Sequence, residues 1–178
     1  MQRELVAARI SETAILYGDF TLRSGRKSNW YIDKYLFTTQ PDILQSLGLL
    51  FAEAVPEETT LLAGAELGGI PLVAATAMSS GLPCVFIRNQ KKDYGTNNQL
   101  EGKLSKGDRV VIIEDIATTG GQVLEAAQTI QSFGATVEAI IAVIDRCEGA
   151  RDNIEEAGFL FHALFTVDDL TINPDSSQ

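Results

Sequence analysis

The sequence lacks the features that mark secreted, membrane-bound or disulfide-linked proteins. None of its apolar runs approaches the roughly 20 residues that a helix needs to cross a bilayer. The first 20 residues contain acids and no continuous apolar core, so they do not resemble a signal peptide. Neither of the two cysteines, Cys84 and Cys147, belongs to a motif spacing, which favours free thiols. These absences predict a cytoplasmic chain with no membrane partner.

Positive charge is also scarce. There are 14 Lys and Arg residues against 24 Asp and Glu, a net charge of −10, which argues against nucleic acid or an anionic membrane as the main partner. Nevertheless, four cations fall within 23–34 and six within 88–109. Such grouping is typical either of a solvated charged face or of a site that focuses positive potential on a small anion. The single histidine, His162, lies among apolar residues and is expected to be structural.

From residue 41 onward, the sequence follows the pattern of an α/β protein. Its length suits one well-buried domain. The strand-like segments are TLLAGAE, CVFIR, RVVIIED, TVEAIIAVID and FLFHALF, and the helix-like segments are GIPLVAATAMSSG, GGQVLEAAQTIQSFG and ARDNIEEAG. Apolar strands that alternate with helices predict a doubly wound, mostly parallel sheet with helices on both faces.

The N-terminal part has a different pattern and is predicted to form a small hood over the sheet. A helix is expected over 2–17, followed by short strands and a turn, and a second helix opens at Pro41. The last residues, NPDSSQ, are polar and are expected to form a frayed tail. The prediction is therefore a single domain over 1–178, with the hood at 1–40, the α/β core at 41–170 and a tail at 171–178.

Three polar segments follow strands of the predicted sheet, GAELGG (64–69), EDIATTGGQ (114–122) and DRCEGA (145–150). Ligands of open parallel sheets bind beyond the carboxyl ends of the strands. In the central segment, Gly120 and Gly121 open a helix whose first N–H groups suit a phosphate. Glu114 and Asp115 would accept hydrogen bonds from sugar hydroxyls. The segment therefore predicts a ribose 5-phosphate site, and the alternative is an ordinary capped turn between strand and helix.

The stretch VVIIEDIATTGGQ, Val110 to Gln122, resembles the phosphoribosyl diphosphate (PRPP) signature of the type I phosphoribosyltransferases. That signature is an apolar strand, two acids, two variable residues and a Thr/Gly-rich phosphate loop. Four further segments resemble the orotate phosphoribosyltransferases in the right order, namely GDFTLRSGRKSNWYID, GAELGGIPL, VFIRNQKKDYGTNNQLEG and VIDRCEG. The resemblance runs from about residue 15 to residue 170, nearly the whole chain.

The resemblance implies an enzyme of the pentosyltransferase class. Such enzymes attach a base to C1 of PRPP and release pyrophosphate, and with orotate the product is orotidine 5′-phosphate, the first pyrimidine nucleotide. Negative charge collects on the leaving pyrophosphate, so catalysis needs cations and a metal there. The resemblance also implies Mg²⁺ held through PRPP and water rather than by direct protein ligands. It further implies a homodimer in which the mobile loop 88–103 reaches the neighbouring subunit's site.

The resemblance assigns residues to three roles. The catalytic residues would be Lys92, as the main cation, together with Glu114 and Asp115. The orotate-binding residues would be Arg23, Thr118 and Arg146. The PRPP-binding residues would be Arg88, Asn89, Lys92, Tyr94, Glu114, Asp115, Ile116, Ala117, Thr118, Thr119, Gly120, Gly121 and Gln122.

Four positions depart from residues that the family often carries. Asn89 stands in place of a Lys in the mobile loop, and Tyr94 in place of a His. Gly68 stands where one branch has a pyrophosphate-binding Lys, and Arg23 replaces a Lys of the hood. The first two changes remove cations from the expected pyrophosphate side, because tyrosine is not cationic near neutral pH.

Two other functions fit the same motifs. One is transfer to a different base, such as a purine or uracil, and the other is a non-catalytic regulator that senses PRPP. Arg146 opposes the first, because an uncharged base gives its guanidinium nothing to pair with. Lys92 opposes the second, because a regulator could lose the cations of the mobile loop.

Overall fold

The computed structural model describes residues 2–21, 25, 27–88 and 99–172. The described helices are α1 (Arg3–Ala14), α2 (Lys34–Thr38), α3 (Pro41–Ala54), α4 (Gly69–Ser80), α5 (Gly121–Ser132) and α6 (Ala150–Glu156). The described strands are β1 (Ile15–Thr21), β2 (Lys27–Ile32), β3 (Leu61–Ala65), β4 (Cys84–Ile87), β5 (Leu100–Glu101), β6 (Arg109–Ala117), β7 (Thr136–Asp145) and β8 (Phe161–Thr166). Within these residues, no helix combines the length and apolarity needed to cross a membrane.

The main sheet has six strands in the order β5-β4-β3-β6-β7-β8. Its strands run parallel except β5, which pairs antiparallel with β4. From β3 the chain moves outward to β4, and from β6 it moves the other way to β7 and β8. The sheet therefore has a switch point between the carboxyl ends of β3 and β6, the position at which open α/β sheets form a ligand crevice.

Two apolar layers cover the faces of this sheet. On β6, Val111 and Ile113 belong to the layer that contains the buried side chains of α1 to α4. Val110 and Ile112 belong to the opposite layer, with the buried side chains of α5 and α6. Alternate residues of one strand thus face two different helix layers, which explains why β6 is apolar without alternation. The predicted doubly wound fold is confirmed.

The N-terminal residues form a separate two-stranded antiparallel sheet from β1 and β2. Asp33 then caps α2, because its carboxylate accepts a hydrogen bond from the Tyr35 N–H at 3.0 Å. Its own N–H donates to Ala14 O at 2.9 Å, which ties the start of α2 to the end of α1. The hood boundary at residue 40 stays a prediction, and the predicted tail lies outside the described residues from 173 onward.

Three local predictions were wrong. The helix expected over 2–17 ends at Ala14, because Ile15 and the residues after it pair with β2. Helix α2 was missed, since five residues are too few to show a helical period. Strand β5 was also missed, because its two residues gain their place only from pairing with Phe86 and Ile87.

Candidate functional site

A cleft of about 80 Å³ opens at the switch point of the sheet. It is lined by the end of β6, the loop that follows, and the first turn of α5, which together span residues 114–123. Lys34, from the hood helix α2, closes another side of it. The segment predicted to bind ribose phosphate therefore lines one concave site, together with a hood residue that the sequence did not single out.

The loop 118–120 connects β6 to α5 in a tight turn. Gly120 adopts the left-handed conformation, with φ 79°, and a Cβ there would come within 2.9 Å of Ile154 on α6. Asn153 Nδ2 donates a hydrogen bond to Thr119 O at 2.9 Å and so braces the loop from the α6 side. The first turn of α5 lines the cleft, and the N-terminus of a helix suits an anion through its N–H groups and partial positive charge.

The acid pair stands at the end of β6, just before this loop. Asp115 is 2% exposed, whereas Glu114 is half-buried. The Ile116 N–H donates to Asp115 Oδ1 at 2.6 Å, and the Asp115 N–H donates to Glu114 Oε1 at 3.1 Å. Lys34 Nζ lies 2.9 Å from Asp115 Oδ2 and 3.2 Å from Oδ1. The charge of Asp115 is thus compensated by a cation that comes from the hood.

Burial and the neighbouring charges shift the pKa values of Glu114 and Lys34. Burial, followed by the neighbouring Asp115 carboxylate, raises the pKa of Glu114 to about 8, and the Lys34 ammonium opposes the rise only in part. Burial disfavours the ammonium of Lys34, but the carboxylates of Asp115 and Glu114 together outweigh it and raise the pKa of Lys34. Near neutral pH, Glu114 therefore favours its protonated form, while Lys34 keeps its positive charge.

Gly68 explains how a carboxylate fits at the switch point. It precedes α4 with ordinary helical dihedral angles, φ −68° and ψ −30°, so its backbone does not require glycine. However, a Cβ at this position would overlap Asp115 Oδ2 and would lie 2.7 Å from the carboxyl carbon. In this chain, therefore, position 68 lacks a lysine for a steric reason as well. The Asp115 carboxylate occupies the space that a side chain at this position would need.

Arg146 follows β7 and lies beside the end of β6, just before the loop 118–120. Its N–H donates to Ala117 O at 3.0 Å, and its side chain is 9% exposed. The guanidinium lies 5.1 Å from the centre of the Trp30 ring, and one of its nitrogens lies 3.1 Å from Glu148 Oε1. Its buried Nε has no hydrogen-bond partner among the described residues. The sequence missed Trp30, although an aromatic residue on the hood strand was a usable signal.

Arg88 lies at the end of β4, on the far side of the first turn of α5. Its N–H donates to Gln99 O at 2.8 Å, and its guanidinium lies 3.8 Å from Glu101. It lines a small cavity of about 20 Å³ that Gln122 also contacts. The other predicted site residues, Arg23, Asn89, Lys92 and Tyr94, lie outside the described residues.

Across the part of the chain that the structure describes, no group of three His, Cys, Asp or Glu side chains is placed to hold a metal ion. The oxygen ligands at the cleft are the two adjacent acids of β6. Hydrated Mg²⁺ keeps several of its waters and is usually bound through one or two carboxylates together with substrate phosphates. The donor set at the cleft therefore fits a magnesium ion that arrives with a phosphorylated ligand.

Comparisons with known proteins agree on one family. Residues 38–168 match the phosphoribosyl transferase domain. The orotate phosphoribosyltransferase of Halobacterium salinarum is 46% identical over 167 residues, which cover 94% of this chain and 95% of that protein. The crystal structure of Mycobacterium tuberculosis orotate phosphoribosyltransferase with Fe(III) dicitrate superposes with a TM-score of 0.87 at 28% identity, covering 96% of this chain and 99% of that one. The same enzyme in complex with PRPP gives a TM-score of 0.82 at 26% identity, with 96% and 99% coverage.

Proposed function

We propose the activity of this protein from one premise: the chain belongs to the phosphoribosyltransferase family and, within it, to the orotate phosphoribosyltransferases. The reaction is transfer of the 5-phosphoribosyl group from PRPP to orotate, which yields orotidine 5′-phosphate and pyrophosphate. The observation that carries the proposal is the hydrogen bond between the Arg146 N–H and Ala117 O. It joins a buried guanidinium, suited to a carboxylate-bearing base, to the loop suited to a ribose phosphate.

On the PRPP side, the 5′-phosphate binds residues 117–121 and the ribose hydroxyls bind Glu114 and Asp115. The N-terminus of α5 favours the phosphate through its first N–H groups and its partial positive charge. The two acids lie on β6, shortly before residues 117–121, and line the same cleft. Ile116 and Gln122 complete the lining.

On the base side, Arg146 pairs with the carboxylate of orotate and Thr118 contacts the ring. A guanidinium binds a carboxylate through two parallel hydrogen bonds, and a nearby aromatic face restricts its orientation. Trp30 supplies such a face at 5.1 Å. Arg23 of the hood adds a second cation for the anionic base.

At the leaving group, Arg88 and Lys92 neutralise the pyrophosphate, and Asn89 and Tyr94 donate hydrogen bonds to it. Preorganised cations at the site of developing charge are a large source of rate enhancement. The segment 88–103 supplies these groups to the neighbouring subunit's site in a homodimer. Glu114 and Asp115 would hold Mg²⁺ through the substrate and water, and the ion would supply charge neutralisation of the phosphate oxygens.

The free cysteines support a location in the cytoplasm, and the negative net charge argues against nucleic acid as a partner. Cys84 and Cys147 are free cysteines, as expected for a protein of the reducing cytoplasm. The net charge of −10 leaves small phosphorylated molecules, rather than nucleic acid, as the partners.

A single assay tests the activity. The purified protein is incubated with PRPP, Mg²⁺ and orotate, and the loss of the ultraviolet absorbance of orotate is followed. We expect turnover with orotate and none with uracil or a purine, because these bases have no carboxylate for Arg146. Turnover with another base but not with orotate would overturn the substrate assignment. The absence of turnover with every base would favour a PRPP-sensing regulator.

PRPP binding is expected to release a proton from Glu114. The pKa of this residue is about 8 in the free protein, because of burial and of the Asp115 carboxylate. Ribose hydroxyls and hydrated Mg²⁺ favour the ionised form, so the pKa falls on binding. The affinity for PRPP therefore rises with pH up to about 8, by at most about tenfold per pH unit, and is flat above it.

Calorimetry in two buffers of different ionisation enthalpy measures the number of protons released at pH 7. The control is Glu114→Gln, which keeps the shape of the side chain and cannot ionise. Protons lost by PRPP itself are the same for both proteins, so the wild type should release up to one more. Equal release by the two proteins would refute the assignment of this proton to Glu114.

A further inference from the structure

Lys34 joins the hood to the acid pair of the core. It is the first residue of the short helix α2, and its ammonium reaches across 81 positions of sequence to Asp115. Nζ lies 2.9 Å from one carboxylate oxygen and 3.2 Å from the other, so it bridges both. Its side chain is 31% exposed and lines the cleft. A hood residue is thus part of the site in which the ribose hydroxyls are expected to bind.

We propose that Lys34 is a positioning residue of the PRPP site, which fixes the Asp115 carboxylate from the hood side so that the ribose hydroxyls meet an oriented anion. The proposal rests on the proposed function, because it assigns the hydroxyls of PRPP to this carboxylate. It also makes binding of PRPP depend on the seating of the hood, which carries Trp30 and thus one wall of the base site.

The surroundings of Asp115 leave Lys34 as the one described cation that bridges its two oxygens. From the next residue of β6, the Ile116 N–H donates to Oδ1 of the carboxylate at 2.6 Å. On the side of β3, Gly68 approaches so closely that a Cβ there would overlap Oδ2. An anion that is 2% exposed is costly unless it is paired. Without the ammonium, the buried Asp115 carboxylate would lose the cation that contacts both of its oxygens.

The charged and titratable groups around Lys34 all belong to the same cluster. Asp115 and Glu114 face it from β6, and the ring of Tyr35 in α2 lies 5.6 Å from Nζ. The ammonium in turn lowers the pKa of Glu114, against the stronger effects of burial and of Asp115. Its removal leaves two adjacent carboxyl groups with no opposite charge from the hood.

The test compares Lys34→Gln with Lys34→Arg. We expect Lys34→Gln to raise KM for PRPP about 10- to 100-fold, the range for loss of a hydrogen bond between charged groups. Because the lost contact is made on binding, kcat at saturating PRPP should change less than KM. Lys34→Arg retains the cation, and it should recover most of the affinity.

The matched control is Lys27→Gln, which removes the same charge from an exposed position in the same part of the hood. Lys27 donates to Thr21 Oγ1 and does not line the cleft. Its kinetics should equal those of the wild type. Melting temperature and circular dichroism of each variant show whether it is folded.

Two outcomes would overturn the proposal. One is an unchanged KM for PRPP in folded Lys34→Gln. The other is a higher KM in Lys34→Gln that Lys34→Arg does not restore, since this is the result of a merely structural role. If the wild type fails to turn over orotate, the proposed function fails instead. In that case, the role of Lys34 is still tested by calorimetry, which compares the affinities of the wild type and Lys34→Gln for PRPP in the presence of Mg²⁺.

Discussion

Replacement of Arg146 by leucine is expected to lower kcat/KM for orotate by about 10²- to 10³-fold, because truncation of one partner of a buried charge pair costs several kcal/mol. The guanidinium is 9% exposed and has a buried Nε without a hydrogen-bond partner among the described residues. Leucine keeps apolar volume against Trp30 but offers no donor to the orotate carboxylate. The dissociation constant of PRPP, measured by calorimetry, should change by less than about threefold, a free-energy difference below 1 kcal/mol.

Arg151→Leu is a matched control for this variant. Arg151 lies 5.1 Å from the Phe161 ring centre and 3.1 Å from Glu155, which repeats the aromatic and acidic contacts of Arg146. Its side chain is 47% exposed and belongs to α6, away from the cleft. Loss of Arg151 should leave the kinetics unchanged. Near-normal kcat/KM for orotate in folded Arg146→Leu would refute the role of Arg146.

Arg146→Lys separates the charge from the shape of the group. Lysine keeps the positive charge but cannot form two parallel hydrogen bonds with one carboxylate, and it stacks less well on Trp30. Its kcat/KM for orotate should therefore lie between those of the wild type and Arg146→Leu.

The fold was predictable because its main signals are local in sequence. Strands β6 and β7 are long and apolar since both of their faces are covered, and helices follow them at glycine-rich turns. Errors arose where pairing with a distant segment decides the structure. Ile15 leaves the helical pattern because it pairs with Ile32, and Leu100 forms a strand because it pairs with Ile87.

The residues of the candidate site also fall into two groups, those that are close together in sequence and those that the fold brings together. The segment 114–122 is contiguous, so a ribose phosphate site could be predicted there from the residues alone. Gly68 belongs to another segment that was expected at the same sheet edge, but its close approach to Asp115 depends on the fold. Lys34 and Trp30 come from the hood, and no spacing in the sequence links them to Asp115 or Arg146. The grouping of cations within 23–34 was the available signal, and it left a solvated face as an equal alternative. Lys34 belongs to that group and contacts Asp115.

Gly68→Ala is expected to lower kcat/KM for PRPP by about 10²-fold, since displacement of a binding group by about 1 Å has effects of this size. The helical dihedral angles of Gly68 accept alanine, so the change acts through space rather than through the backbone. The new methyl group would overlap Asp115 Oδ2. The carboxylate would then have to leave its place between Lys34 and the Ile116 N–H, and the ribose hydroxyls would lose an oriented acceptor.

Gly81→Ala, at the other end of α4, is the control that separates steric from conformational effects. Gly81 has φ 77°, and a Cβ there would meet nothing within 4 Å. Its replacement should cost about 1–2 kcal/mol of backbone strain, which lowers the melting temperature by a few degrees but leaves KM for PRPP unchanged. Gly68→Ala should show the opposite pattern, with a larger change in KM than in stability. If KM for PRPP stayed normal in Gly68→Ala, the ribose hydroxyls would not depend on the observed position of Asp115.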